Sequence, residues 1–243
     1  MYDYRIKIYD PFSILIQWDT GIDIETNQLI HHLSSYLKSW SETEESVPAY
    51  NSLLWVGKTR IRNIDYIQTQ IEEGIKQSLQ IKKRMQLPIL HIPVCYEEQF
   101  APDLKEIKLY TGLNHSSIIE IHCGSLYHVY MVGFLPGFVF LGGLDKRLYI
   151  PRKKKPRSKV PVGAVGIGGK QTGIYPMKSP GGWNLIGRCP LPLFLPNEEP
   201  PFLIQPNRTV QFHAINFKEF TYLLGRENEF ISSPEKLIKM IQK

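Results

Sequence analysis

The sequence predicts an α+β protein in two parts: a small N-terminal α/β sandwich over residues 1–87, then a β-barrel over residues 88–243. Three observations carry this. The two long helical stripes lie before Pro88, glycine crowds the middle of the chain, and prolines are dense from Pro136 to Pro206. In the first part, Ile24, Leu29, Ile30, Leu33 and Leu37 recur mostly at three- and four-residue spacing, which places them on one helix face. Asp23 stands where an N-cap is needed. Ile64, Ile67, Ile71, Ile75 and Leu79 form a second stripe, with Asn63 placed to cap it. Strand-like runs, Ser13–Trp18 and Ser52–Val56, precede these helices. The resulting β-α-β-α order implies a small sheet with helices on one face. After Pro88, Ile89–Cys95 reads as a strand and Pro102–Leu109 as a short helix ended by Gly112. Asn114 caps another helix, Ser116–His122. Between Gly133 and Gly187 stand 12 of the 18 glycines. Short apolar stretches between glycine and proline turns describe a barrel with long loops. Pro234–Lys243 reads as a short C-terminal helix.

Composition excludes several classes. With 42% hydrophobic and 21% charged residues in 243, the chain has the make-up of an ordinary folded protein. No apolar run approaches the roughly 18 residues that span a bilayer, and Met1–Asp10 lacks an apolar signal core. No membrane partner is expected. Cys95, Cys123 and Cys189 are far apart and lack metal-ligand spacing, which fits free thiols in the cytoplasm and no metal site. The net charge of +6 is local. Arg152, Lys153, Lys154, Lys155, Arg157 and Lys159 put six cations in eight residues, and without them the net charge is zero. This run lacks the interleaved aromatics that stack on nucleic-acid bases, so no nucleic-acid partner is expected. Pro151, Pro156 and Pro161 stiffen it. It is either a solvated loop or a site wall that steers anions.

Three further segments invite a functional reading. Gly133–Gly143 alternates glycine with bulky residues, including Phe134, Pro136 and Phe138. Such a run makes either an apolar pocket wall or a barrel corner. Gly163–Gly173 resembles a phosphate loop but fails its pattern, because Ala164 stands where the first glycine belongs and Gln171 where Ser or Thr holds magnesium. Gln171 also replaces the third glycine of a dinucleotide fingerprint. Backbone N–H groups around Gly168 and Gly169, with Lys170 beside them, still fit an anion nest, and a plain β-turn fits equally. Tyr175–Arg188 holds Ser179, Gly181, Gly182 and Trp183 in a rigid turn, followed by Arg188, whose planar fork suits a carboxylate or phosphate. His122 closes a short helix, where the helix dipole would favour imidazolium. No Ser-His-Asp or Cys-His set is legible from spacing.

Taken in order, these motifs resemble one family, known as the B-type subunit of 5-oxoprolinase, allophanate hydrolase subunit 1 or sporulation kinase A inhibitor. The resemblance rests on Pro48-Ala49-Tyr50-Asn51-Ser52-Leu53-Leu54, Ala101-Pro102-Asp103-Leu104, Gly133 to Asp145, Pro156-Arg157, Val160 to Pro176 and Ser179 to Arg188. Departures fall at Ala101, Val139, Val162, Gly168 and Cys189, and at the turn Pro206-Asn207-Arg208. The resemblance implies a cyclophilin-like barrel after the α+β domain. It implies one component of an ATP-dependent 5-oxoprolinase, a cyclic amide hydrolase that opens 5-oxo-L-proline to L-glutamate. The partners implied are a C-type barrel protein and a third, A-type protein. ATP, with or without Mg, would be bound by the complex. On this reading His122, Arg157 and Gln171 are the catalytic candidates. Phe134, Pro136, Phe138, Gly168, Gly169, Lys170, Tyr175, Ser179, Gly181, Gly182 and Arg188 are the substrate- or nucleotide-binding candidates. One alternative is an inhibitor that binds a sensor histidine kinase and blocks its autophosphorylation. A second is an allophanate hydrolase or urea carboxylase component.

Overall fold

A computed structural model describes residues 3–81, 88–226 and 229. The chain divides into two compact units, Met1–Leu87 and Pro88–Lys243.

The first unit runs β1 (Tyr4–Asp10), β2 (Ser13–Trp18), α1 (Ile24–Lys38), β3 (Thr43–Pro48), β4 (Ser52–Gly57) and α2 (Ile64–Ile81). Its four strands form an antiparallel sheet in the order β1-β2-β4-β3. Alternation along β2 and β4 sends Ile14, Ile16, Trp18, Leu53 and Trp55 to one face. There they pack with Leu29, Ile30, Leu33 and Leu37 of α1 and Ile67, Ile71 and Ile75 of α2. The two aliphatic stripes are thus the inner faces of the two helices except at Ile24 and Leu79, which are exposed. The Thr26 N–H donates to the Asp23 carboxylate at 2.7 Å, and the Tyr66 N–H donates to Asn63 Oδ1 at 3.1 Å, so both caps form. Strands β1 and β3 are the sheet edges and add to the two strands expected.

The second unit adds β5 (Leu90–Cys95), α3 (Leu104–Thr111), α4 (His115–Gly124), β6 (Leu126–Val132), β7 (Val139–Gly142), β8 (Arg157–Val160), β9 (Ala164–Gly168), β10 (Gln171–Ile174), β11 (Ser179–Gly181), β12 (Asn184–Arg188), β13 (Thr209–Ile215) and α5 (Phe217–Leu223). Seven strands close a barrel in the order β10-β7-β6-β13-β5-β12-β9, and β8 pairs with β11 outside it. Gly112 ends α3 with φ 72°, a left-handed value that glycine adopts without a Cβ clash. The Ser117 N–H donates to the Asn114 side chain at 2.8 Å and starts α4. Inside the barrel, aliphatic residues such as Ile92, Val94, Val129, Leu141, Val165 and Ile186 form one continuous core. A smaller, aromatic cluster lies apart from it: Phe138, Tyr175 and Trp183 with Val160, Ala164 and Leu185. Helix α5 adds to the elements expected from the sequence, and the helix expected over Pro234–Lys243 lies outside the described residues.

Candidate functional site

The aromatic cluster forms the floor of a cleft of about 350 Å³, within the size range of small-molecule sites. Phe138 is its hub. The Phe138 ring meets Phe140 at 4.8 Å, Tyr175 at 5.1 Å, Trp183 at 5.5 Å and Phe134 at 5.6 Å, each edge to face. This is the arrangement that aromatic quadrupoles favour. Phe134 is 67% exposed at the mouth and holds φ 70°. A bulky side chain in the left-handed region is strained, and such strain concentrates at functional positions. Trp183 needs a glycine behind it: a Cβ on Gly168 would sit 2.7 Å from the indole ring.

The basic segment forms a strap along one rim, and hydrogen bonds to its backbone stitch it down. The Asn184 side-chain amide donates to Pro151 O at 2.9 Å, and the Lys153 N–H donates to Gly182 O at 2.7 Å. Further on, Arg157 pairs with Gly181 across β8 and β11. Arg152 and Lys153 are the cations that line the cleft. Lys154 and Lys155 instead line a second hollow, of about 330 Å³, which Arg152 and Lys153 border as well.

Asp103 organises these charges from below. It is buried, and one carboxylate oxygen accepts from both Lys153 Nζ, at 2.8 Å, and Arg157 Nη2. Its other oxygen accepts the Leu185 N–H at 2.7 Å. Burial alone would push the Asp103 carboxyl up, but Arg157, Lys153 and the Leu185 N–H outweigh it and hold it below its ordinary value. Lys153 also reaches Glu106 at 2.6 Å. Burial pulls Lys153 down, yet Asp103 and Glu106 raise it overall, so it stays charged. Burial pushes the Tyr175 hydroxyl up, against the pull of the Trp183 N–H and the Arg152 and Arg157 charges. That hydroxyl is therefore a proton-bearing group at neutral pH.

The structure brings together some of the residues singled out from sequence. Phe134, Phe138, Tyr175, Gly181 and Gly182 line the cleft. Gly168 backs its floor, and Arg157 anchors the strap. Ser179 is buried in β11 with its hydroxyl unpaired among the described residues. Pro136 is exposed beside the mouth and does not line it. The anion nest expected around Gly168, Gly169 and Lys170 is a hairpin turn between β9 and β10. Its Gly169 N–H is committed to Ile150 O at 2.7 Å, Lys170 is exposed and Gln171 opens β10. Arg188 does not reach the cleft. Its Nε donates to Val162 O at 2.9 Å, and its guanidinium lies over Phe100 at 5.6 Å and Phe220 at 5.7 Å.

His122 corrects an expectation. It sits in the last turn of α4, but it is fully buried and not an imidazolium. Burial pushes it down to about 3, because desolvation of a cation outweighs the modest helix-end field. Its ring bonds to the Tyr96 hydroxyl at 2.7 Å through Nδ1 and to Thr172 Oγ1 at 2.9 Å through Nε2. Thr172 donates onward to Gly166 O at 3.1 Å, so it must accept from an Nε2–H, and Nδ1 then accepts from Tyr96. Cys123 Sγ completes the chain at 3.6 Å from the Tyr96 oxygen. This network runs as a line from Cys123 to Gly166 O and does not line the cleft. Phe140, Arg152, Lys153, Pro156, Pro180 and Trp183 line the cleft, and Asp103 anchors its cations, but none of them is among the candidates named from sequence. Trp183 was legible in the Ser-Pro-Gly-Gly-Trp turn and Arg152 in the basic run. Nothing local ties Asp103 to residues fifty positions away.

The family model for the carboxyltransferase domain, subdomain C and D, matches residues 4–204. The B-type subunit of 5-oxoprolinase from Bacillus subtilis (strain 168) is 36% identical over 233 residues, covering 89% of this chain and 95% of that protein. The chain belongs to the family of 5-oxoprolinase B-type subunits. Within solved structures, this family member is similar to TTHA0988, with a TM-score of 0.74 at 32% identity over 84% of this chain. It spans 40% of that longer chain. The urea amidolyase of K. lactis shares the fold, with a TM-score of 0.69 at 16% identity over 99% of this chain and 17% of that one. Among the described residues no helix is long and apolar enough to cross a membrane, and no group of three or more His, Cys, Asp or Glu is poised to hold a metal ion.

Proposed function

We propose that this chain is the B-type subunit of an ATP-dependent 5-oxoprolinase, working with a C-type barrel partner and an A-type third protein in the cytoplasm. The observation that carries this reading is an aromatic cleft with a cationic rim, in a chain 36% identical to a 5-oxoprolinase B-type subunit over nearly its whole length. The small lactam ring would lie against Phe138, Tyr175 and Trp183. The barrel is read as cyclophilin-like, with the cleft on its aromatic side.

Among the described residues, neither the glycine turn nor Asp103 fits a nucleotide phosphate or a magnesium ion. The glycine turn has its Gly169 N–H committed to Ile150, and the carboxylate beneath the cleft is saturated by Lys153, Arg157 and Leu185. No step through ATP or Mg is therefore placed on this chain. What these residues do is bind and orient the ring, exclude water with the aromatic floor, and present positive charge to an anionic ligand. The Tyr175 hydroxyl offers a proton at the floor.

The test is co-expression with the C-type and A-type partners, followed by assay of glutamate and ADP release from 5-oxo-L-proline and ATP. Stoichiometric release is the expected result. A complex that assembles and releases neither overturns the reading. The shared fold with a urea amidolyase favours one second reading, a urea carboxylase or allophanate hydrolase component. Urea and allophanate in the same assay distinguish it.

A further inference from the structure

We propose that Arg152 is the specificity-determining cation of the cleft and reads the carboxylate of its ligand. This rests on the reading of the cleft as the lactam site and goes beyond it by assigning the recognition residue. Two cations line the cleft, Arg152 and Lys153. Lys153 is committed to Asp103 at 2.8 Å and to Glu106 at 2.6 Å. Arg157 is committed to the same Asp103 oxygen. Among the described residues, no carboxylate pairs with Arg152. Its guanidinium instead lies over the Trp183 ring, 5.6 Å from the centroid.

The position is pre-organised. Arg152 stands between two stitches, Pro151 O to the Asn184 side-chain amide and the Lys153 N–H to Gly182 O. A guanidinium held by an aromatic face keeps its edge free for two parallel hydrogen bonds to a carboxylate. Trp183 itself lines the cleft beside Phe138 and Tyr175, so the cation that it holds stands next to the aromatic floor. Ring and carboxylate would thus be read together, the one by Phe138, Tyr175 and Trp183, the other by Arg152. Ligands that lack the carboxylate would lose the second contact and keep the first.

The test compares 5-oxo-L-proline with 2-pyrrolidinone, the same lactam without its carboxylate. In the assembled complex, Arg152→Ala should lower kcat/KM for 5-oxoproline by about 30-fold, the size of a lost charge-assisted pair. It should change kcat/KM for 2-pyrrolidinone by less than about threefold on the same scale. Arg152→Lys, which keeps the charge without the fork, should recover part of the loss. Lys154→Ala, on the same strap but outside the cleft, should leave the preference intact. Equal losses on both compounds, or none, overturn the proposal while leaving the function reading standing. If the wild-type complex turns over neither compound, the function reading fails, and binding decides the inference instead. The Trp183 fluorescence of the purified chain, with Trp183→Phe as blank, is titrated with both compounds. A preference for the carboxylate that Arg152→Ala abolishes supports the assignment. An equal response to both, or no response, overturns it.

Discussion

The barrel unit holds two clusters of polar groups that differ in what they leave open. In the interior, Cys123, Tyr96, His122, Thr172 and Gly166 form a line of hydrogen bonds in which each group already has its partner. Beneath the cleft, Asp103 gathers Lys153, Arg157 and the Leu185 N–H, and Arg152 beside them has no carboxylate partner among the described residues. The first cluster is all constraint, the second is constraint with one charge left to offer. A strongly shifted ionisable group therefore does not by itself mark the site. His122 carries a large shift yet does not line the cleft, whereas the cleft is marked by the charge that its neighbours do not neutralise.

Removing the hub of the open cluster should have the largest effect. Asp103→Ala leaves Lys153 and Arg157 without their shared carboxylate and should cost about 3–5 kcal/mol, read as a lower denaturant midpoint for the barrel unit. A cost below about 1 kcal/mol would mean that solvent already screens the pair.

Acid should separate the clusters by window. His122 is neutral when folded, with a value of about 3, and regains an ordinary value near 6.5 when unfolded. The unfolded chain therefore binds the extra proton between those values, and stability falls as pH drops through the window. The slope is about 1.4 kcal/mol per pH unit from this group alone. The Asp103 contribution, from a carboxyl held below its ordinary 3.8, is lost only at more acid pH. Urea unfolding of the wild type and of His122→Gln from pH 6 to pH 4 checks this, and the gap between them should narrow by that slope. In the assembled complex, the same variant should leave the pH profile of kcat/KM unmoved; a displaced profile would give His122 a part in the chemistry.

Gly168→Ala should push the Trp183 indole toward the cleft, at about 1–3 kcal/mol of overpacking. A blue- or red-shifted Trp183 emission together with weaker ligand binding would confirm the coupling, and an unchanged spectrum would refute it. The smallest effect on stability is expected for Phe134→Gly. It relieves a left-handed backbone while removing an exposed ring, so stability should change by less than about 1 kcal/mol. Ligand KM should nevertheless rise, and an unchanged KM would remove Phe134 from the site.

Legibility in the sequence follows the range of each interaction. The caps Asp23, Asn63 and Asn114 are readable because a cap and its N–H partner lie three residues apart. The stripes of α1 and α2 are readable because a single face repeats over 15 and 18 residues. Strands β1 and β3 escape because edge strands carry solvent-facing charge, as in Tyr4–Asp10 and Thr43–Pro48. Helix α5 has a capping box from Asn216 to Glu219 but only seven residues to show a period. The aromatic side of the cleft is legible as composition, in Phe134, Phe138 and Trp183. Its charge balance is not, because Asp103 meets Lys153 and Arg157 across about fifty residues of chain. The charge on His122 is misread for the same reason: a helix end is a local feature, while burial belongs to the whole barrel.

The central claim is that the cleft between the strap and the aromatic floor holds the ligand. Hydrogen–deuterium exchange on the assembled complex, with and without 5-oxo-L-proline, tests it most directly. The expected result is new protection in this chain over residues 134–140, 151–157 and 175–183. Full turnover with protection confined to the 169–171 turn and the Arg188 region would contradict it.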